Sequence, residues 1–204
     1  MIKELNIFLK KENLTMAGLG FSAGLPIMLV FSTLSVWLVK AGIERSTVTL
    51  FSWAGFAYSF KFLWSPIVDK FEIPLLKKIG HRKSWLLVTQ ILIFFSIILA
   101  SFSNPQDNLK FMAIAIVLIA FFSATQDIVI DAFRIESAPE KKQGPLSSMY
   151  LAGYRIAMIV SGAGSLWLAS YLGGENYQQN IWRQVYQSMS LFMIIGLTCT
   201  LISK

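Results

Sequence analysis

Charge is scarce in this 204-residue chain: Asp, Glu, Lys and Arg make up 14% of it, where a soluble domain carries about 25%. It has one cysteine, Cys199, which lies in an apolar run and excludes a disulfide framework or a cysteine metal cluster. It has one histidine, His81, in the basic stretch Gly80-His-Arg-Lys83, where it reads as a solvated loop residue. Acidic residues number 11 against 18 basic ones. The resulting charge of +7 does not require nucleic acid, because basic loops on one face of a membrane protein produce the same excess.

What the chain does have is long apolar runs, with a mean hydropathy of +0.59. About 20 apolar residues suffice to cross the hydrocarbon core as a helix. Six stretches meet that length, at about 14–39, 46–68, 85–103, 109–133, 146–172 and 184–203. The expected fold is therefore an all-α membrane bundle of six helices, preceded by a short amphipathic segment over 1–13. Asn13 and Ser46 are expected N-caps, and Asn104–Pro105, Gly144–Pro145 and Gly173–Gly174 are expected connections. Trp37, Trp64, Trp85, Trp167 and Trp182 fall near span ends and read as interfacial anchors. The apolar run after residue 13 is too long for a cleaved secretory signal.

Basic residues divide unevenly between the two sides. Twelve fall on the side of the N-terminus and the second–third, fourth–fifth and C-terminal segments, against four on the other side. The positive-inside rule then predicts that both termini are cytoplasmic. Two basic residues remain within spans, Lys61 and Arg155, and Asp127 joins them, preceded by Gln126 and followed one turn later by Asp131. An ionised residue at mid-membrane costs on the order of 2.5–3.5 kcal/mol on insertion scales, so function is the default reading. Counted at 1.5 Å per residue, all three lie roughly 10–14 Å from the cytoplasmic surface. Lys61 either snorkels or faces a cavity, and Arg155 either neutralises Asp127 or meets a solute. Spans three and six carry no charge and read as lipid-facing.

Spans two and five each hold one cation, and spans one and four hold the unusual segments, Gly18 to Pro26 and Gln126 to Asp131. That is the trace expected of a three-plus-three inverted repeat. The spacing of Gly20 and Gly24 favours close helix packing over a bendable path. Asp127 and Asp131 form a D-x-x-x-D face, but a diphosphate-binding prenyltransferase needs a second acidic motif that the sequence lacks. No catalytic or metal-binding constellation emerges, and the chain is expected not to be an enzyme.

The stretches Tyr58-Ser-Phe-Lys61-Phe-Leu-Trp-Ser-Pro66, Ser123-Ala-Thr-Gln126-Asp127-Ile-Val-Ile-Asp131-Ala132 and Gly153-Tyr154-Arg155-Ile-Ala-Met158-Ile-Val-Ser161-Gly162, with Gly20 to Pro26, are similar to AmpG-type muropeptide permeases. These belong to the branch of the major facilitator superfamily shared with acetyl-CoA transporters. Ser65-Pro-Ile-Val-Asp69-Lys70 followed by Gly80-His-Arg82-Lys83 resembles the superfamily's loop between helices two and three, with Ser65 in place of its first glycine and a longer insertion. The resemblance implies proton-driven import of anhydro-muropeptides across the bacterial inner membrane, with no cofactor beyond the proton gradient. It implies a cavity lined by Gly24, Pro26, Lys61, Gln126, Tyr154 and Arg155, proton coupling at Asp127 and Asp131, and a gate at Asp69, Lys70, Arg82, Lys83 and Arg134. It also implies a second six-helix half as partner, beside the lipid bilayer and an anionic solute. Alone, the chain is expected not to transport; the alternatives are a non-transporting remnant or subunit, or a carrier of another anion such as acetyl-CoA.

Overall fold

The computed structural model describes residues 9–173 and 176–203, so most of the expected N-terminal segment and the Gly174 end of one connection lie outside the described residues. Every regular element among the described residues is helical. Span one comprises α1 (Lys11–Val30) and α2 (Ser32–Lys40), and span two contains α3 (Arg45–Leu50), α4 (Phe56–Ser59) and α5 (Ser65–Lys70). Span three is α6 (His81–Ser101) and span four is α7 (Leu109–Ser137). Span five is α8 (Glu140–Ile159) and α9 (Ser165–Gly173), and span six is α10 (Gln179–Leu191) and α11 (Met193–Ile202).

Five of these stretches are long and apolar enough to cross a membrane: Lys11–Lys40, His81–Ser101, Leu109–Ser137, Glu140–Gly173 and Gln179–Ile202. The second span is the exception to the sequence expectation. It is helical but broken, with 3-10 turns at Phe51–Gly55 and Lys61–Leu63 between its α-helical pieces. Pro66 withholds an N–H at the start of α5, and Phe60, at φ −96° and ψ 8°, leaves the α-helical region just before the Lys61–Leu63 turn. The expected caps also move. Lys10 and Glu44 precede the first turns of α1 and α3, without side-chain capping. The turn between spans four and five falls at Ala138–Pro139, which places Gly144–Pro145 inside α8 near its start.

The pairing of helices follows the repeat. Span one packs on span five as span four packs on span two, and span one meets span six as span four meets span three. Exchanging one with four, two with five and three with six maps this pattern onto itself. The closest pairing is α1 with α8, and glycine permits it. A Cβ built at Gly20 or Gly24 would overlap the backbone carbonyls of Tyr150 and Tyr154, and one at Gly153 would overlap that of Ala17. Helices in lipid gain no hydrophobic drive from pairing with one another, so such backbone-to-backbone contact supplies the dispersion that holds them.

Two irregularities meet further along the same pair. α1 breaks at Phe31, whose backbone sits at φ −107° and ψ −80°, five residues after Pro26. Span five widens into a π turn at Val160–Gly164. Thr33 Oγ1 donates to the Ser161 carbonyl at 2.7 Å, and Tyr186 Oη donates to the Leu29 carbonyl at 2.8 Å. These side chains satisfy carbonyls at the two irregular segments, as hydrocarbon demands. Trp37 and Trp182 are not the interfacial anchors expected from their positions. They are buried and stack on each other at 5.7 Å. Trp167, by contrast, is 67% exposed, and spans three and six bury one face each while exposing residues such as Phe95 and Leu201.

Gly153→Val should destabilise the bundle by about 2 kcal/mol or more through overpacking, whereas Gly144→Ala, where nothing lies within 4 Å of the new methyl, should leave stability unchanged. Unfolding in mixed detergent micelles measures both.

Candidate functional site

The glycine contact sets the stage for Asp127. By seating the backbone of α8 against α1, Gly20 and Gly24 fix the positions of Tyr150 and Tyr154, whose rings lie 6.0 Å apart. Both tyrosines stand in the field of the Asp127 carboxyl on α7. From the opposite flank, the broken second span brings Lys61 and Tyr58 to the same carboxyl. They flank the break at Phe60, Tyr58 on α4 and Lys61 on the 3-10 turn that follows. Ser123, one turn before Asp127 on α7, lies beside the Tyr58 hydroxyl. Asp127 Oδ1 is buried with no hydrogen-bond partner, and beside it the Tyr58 and Ser123 hydroxyls have only each other. Buried polar atoms are satisfied in nearly all proteins, so an unsatisfied carboxyl oxygen marks a place where a group binds or a proton moves.

The remaining expected cavity residues occupy different settings. Gln126 is fully buried and donates from Nε2 to Ser22 Oγ at 2.9 Å. Gly24 and Pro26 are buried in α1, Gly24 at the contact with Tyr154. Arg155 does not neutralise Asp127; the cation acting on that carboxyl is Lys61. Arg155 lies one residue past Tyr154 on the exposed face of α8, with Leu151, Ile156 and Ile159. Asp131 adds its charge to the field at Asp127 and pairs with Arg134 at 3.6 Å.

A second polar cluster sits at the basic end of the bundle. Arg82 reaches Asp69 at 2.6 Å and grips Glu136 through NH2 at 2.8 Å and Nε at 3.0 Å. One guanidinium thus ties the end of α5 to the start of α6 and the end of α7. Arg134 donates to Ser147 Oγ at 2.8 Å, and the Gln143 amide donates to the carbonyls of Arg134, Ile135 and Ala138, closing the turn between α7 and α8. Lys83 donates to the Ser203 carbonyl, while Lys70 is exposed. Sequence reasoning found Asp69 and Arg82 but missed Glu136, Tyr58, Tyr150, Ser123 and Ser22. The helical spacing of Tyr58 with Lys61, Tyr150 with Tyr154, and Ser123 with Asp127 was the available signal.

This arrangement of a bundle with internal repeat symmetry, a flanked buried carboxyl and an Arg–carboxylate knot between spans two, three and four has relatives. Residues 14–203 match the family model of the Major Facilitator Superfamily. The chain belongs to that superfamily. It is similar to AmpG 4 of Rickettsia conorii (strain ATCC VR-613 / Malish 7), at 42% identity over 160 residues, covering 78% of this chain and 38% of the relative. It is also similar to the anhydromuropeptide permease of Escherichia coli (strain K12), at 38% identity over 200 residues, covering 98% of this chain and 38% of the relative. AmpG 3 of Rickettsia prowazekii (strain Madrid E) is 36% identical over 180 residues, 87% of this chain and 41% of the relative. The chain thus spans about two-fifths of the length of these curated relatives. It is a membrane protein of a transporter family.

Glu136→Gln should weaken the Arg82 knot, because the two donors that converge on Glu136 Oε1 would meet an uncharged amide oxygen in place of a carboxylate. Backbone amide exchange over residues 71–80 should quicken roughly tenfold, equivalent to about 1.4 kcal/mol, and mass-spectrometric exchange in nanodiscs reads it. Unchanged exchange would mean that Asp69 alone holds Arg82.

Proposed function

We propose that this chain is the N-terminal six-helix half of a proton-coupled importer of anhydro-muropeptides in the bacterial inner membrane, serving cell-wall recycling. The observation that carries the reading is the buried Asp127 carboxyl, held between Lys61 and Tyr58 on one flank and Tyr150 and Tyr154 on the other. The names of the relatives support the solute class, and the coverage of about two-fifths supports a second half supplied in the complete transporter. The basic end, with Lys77, Lys78, Arg82, Lys83, Lys141 and Lys142, faces the cytoplasm in this reading.

In this mechanism Asp127 carries the proton. With the carboxyl ionised, Lys61 balances it; with the carboxyl protonated, the lysine charge is released to attract a carboxylate of the solute. Tyr58, Tyr154 and Ser123 offer hydroxyls to the same group or to the solute's amides and sugar hydroxyls. Arg155 adds positive charge on the face of α8 that meets the solute or the other half, and Gln126, Gly24 and Pro26 shape the wall behind. Asp131, one turn along α7, extends the proton path from Asp127, and Arg134 stands with the gate residues beyond it. The knot of Asp69, Arg82 and Glu136, flanked by Lys70 and Lys83, is a latch on the cytoplasmic gate. Alternating access is then rocking of this half against its partner around the central site. No cofactor enters the cycle.

Uptake of labelled anhydro-muropeptide into vesicles energised inside-negative and alkaline, compared with de-energised ones, tests the reading, with the chain joined to a second six-helix half. Asp127→Asn should abolish gradient-driven accumulation while membrane insertion persists, and normal accumulation by that variant would remove Asp127 from the mechanism. Lys61→Gln should weaken solute binding, raising KM about tenfold for loss of one charge-assisted contact. Labelled acetyl-CoA in the same vesicles discriminates the other anion class.

A further inference from the structure

Two buried hydrogen bonds join spans that exchange places under the internal repeat. Gln126 on α7 donates from Nε2 to Ser22 Oγ on α1 at 2.9 Å, and Thr200 Oγ1 on α11 donates to Gln90 Oε1 on α6 at 3.0 Å. Each of the four side chains is 0% exposed. The first bond ties span one to span four, and the second ties span three to span six. They are neighbours across Gly196: a Cβ built there would overlap Ser22 Cβ and lie 3.1 Å from Gln90 Nε2. The bundle therefore carries a polar seam where its two repeats meet, and Gly196 lets the sixth helix close over it.

The Ser22 hydroxyl has one proton, which it donates to the Leu19 carbonyl at 2.8 Å. Its oxygen is left to accept, so Gln126 must present its NH₂ end, and the amide is held in one orientation. Asp127 follows Gln126 directly and points about 100° further round the helix. Anchoring Gln126 to α1 therefore sets the angle at which α7 offers Asp127 to its neighbours. Apolar side chains resist rotation of a helix poorly when lipid on one side is as apolar as protein on the other, so a polar tie has a role that packing alone does not fill.

We propose that Ser22 is a positioning residue: through Gln126 it fixes the Asp127 carboxyl between Lys61 with Tyr58 from span two and Tyr150 with Tyr154 from α8, with Asp131 below it on α7. The proposal rests on the reading of Asp127 as the proton carrier. Its test separates the two. Infrared spectra of the chain in liposomes contain a carboxyl stretching band assigned by its loss in Asp127→Asn. Ser22→Ala should shift that band, and in the joined transporter it should cut gradient-driven uptake roughly three- to tenfold, the range of interhelical hydrogen bonds in membranes. Thr200→Val, which breaks the other half of the seam, should leave the band in place. Ser22→Cys, similar in size and a weaker acceptor, should shift the band less, and it carries the test if the alanine variant fails to insert. An unmoved band in the Ser22 variants overturns the proposal whatever happens to uptake. An equal shift in Thr200→Val also overturns it, since general loosening then explains both. A band that shifts as expected in a protein whose unaltered form never accumulates solute upholds the positioning role and rejects the transport reading.

Discussion

Backbone contact between the first and fifth spans is the constraint on which the rest of this bundle depends. Lipid tails compete with apolar side chains on equal terms, so a helix pair holds through dispersion at close range and through polar ties. Gly20, Gly24 and Gly153 let α1 and α8 touch along their main chains. The contact does more than hold two helices. The carbonyls that lie over Gly20 and Gly24 belong to Tyr150 and Tyr154, so packing dictates where the two phenol rings stand relative to Asp127. Stability and site geometry are one feature here.

The other flank is built differently. Span two is broken, and its aromatic residues Trp53, Phe56, Phe60 and Phe62 are exposed. Its hold on the bundle comes from contacts along α7, including the Trp64 Nε1 bond to Thr125 Oγ1 at 3.1 Å. At its end it is tied by Arg82, which satisfies two carboxylates from different helices. An exposed ion pair adds little by itself. Here the guanidinium side chain is only 17% exposed and its planar fork is filled on both edges, which gives the knot direction as well as charge.

Much of this was legible beforehand. Apolar run length locates the membrane-crossing stretches, the spacing of Gly20 and Gly24 points to close packing of the first span without naming its partner, and Lys61 and Asp127 stand out as charges within spans. The reading failed where one-dimensional order hides a face. Depth alone leaves Arg155 open between neutralising Asp127 and meeting a solute, yet Arg155 is a residue past Tyr154 and so turns outward. Position near a span end suggests an interfacial anchor, though Trp37 and Trp182 stack inside. Ser22 carries no charge and breaks no pattern, so its bond to Gln126 had no signal in the sequence.

The π turn at Val160–Gly164 places one residue more than an α-helical turn holds into span five. Beyond it every side chain is advanced by about 100° relative to an uninterrupted helix. The stacked pair Trp167 and Tyr171, whose rings lie 5.5 Å apart on the exposed surface, owes its compass bearing to that surplus residue. A homologue shortened by one position there would keep a smooth helix and swing its aromatic pair toward a different neighbour. Small length changes in this turn thus offer evolution a way to re-aim the far end of the span without disturbing the glycine seam that anchors its near end.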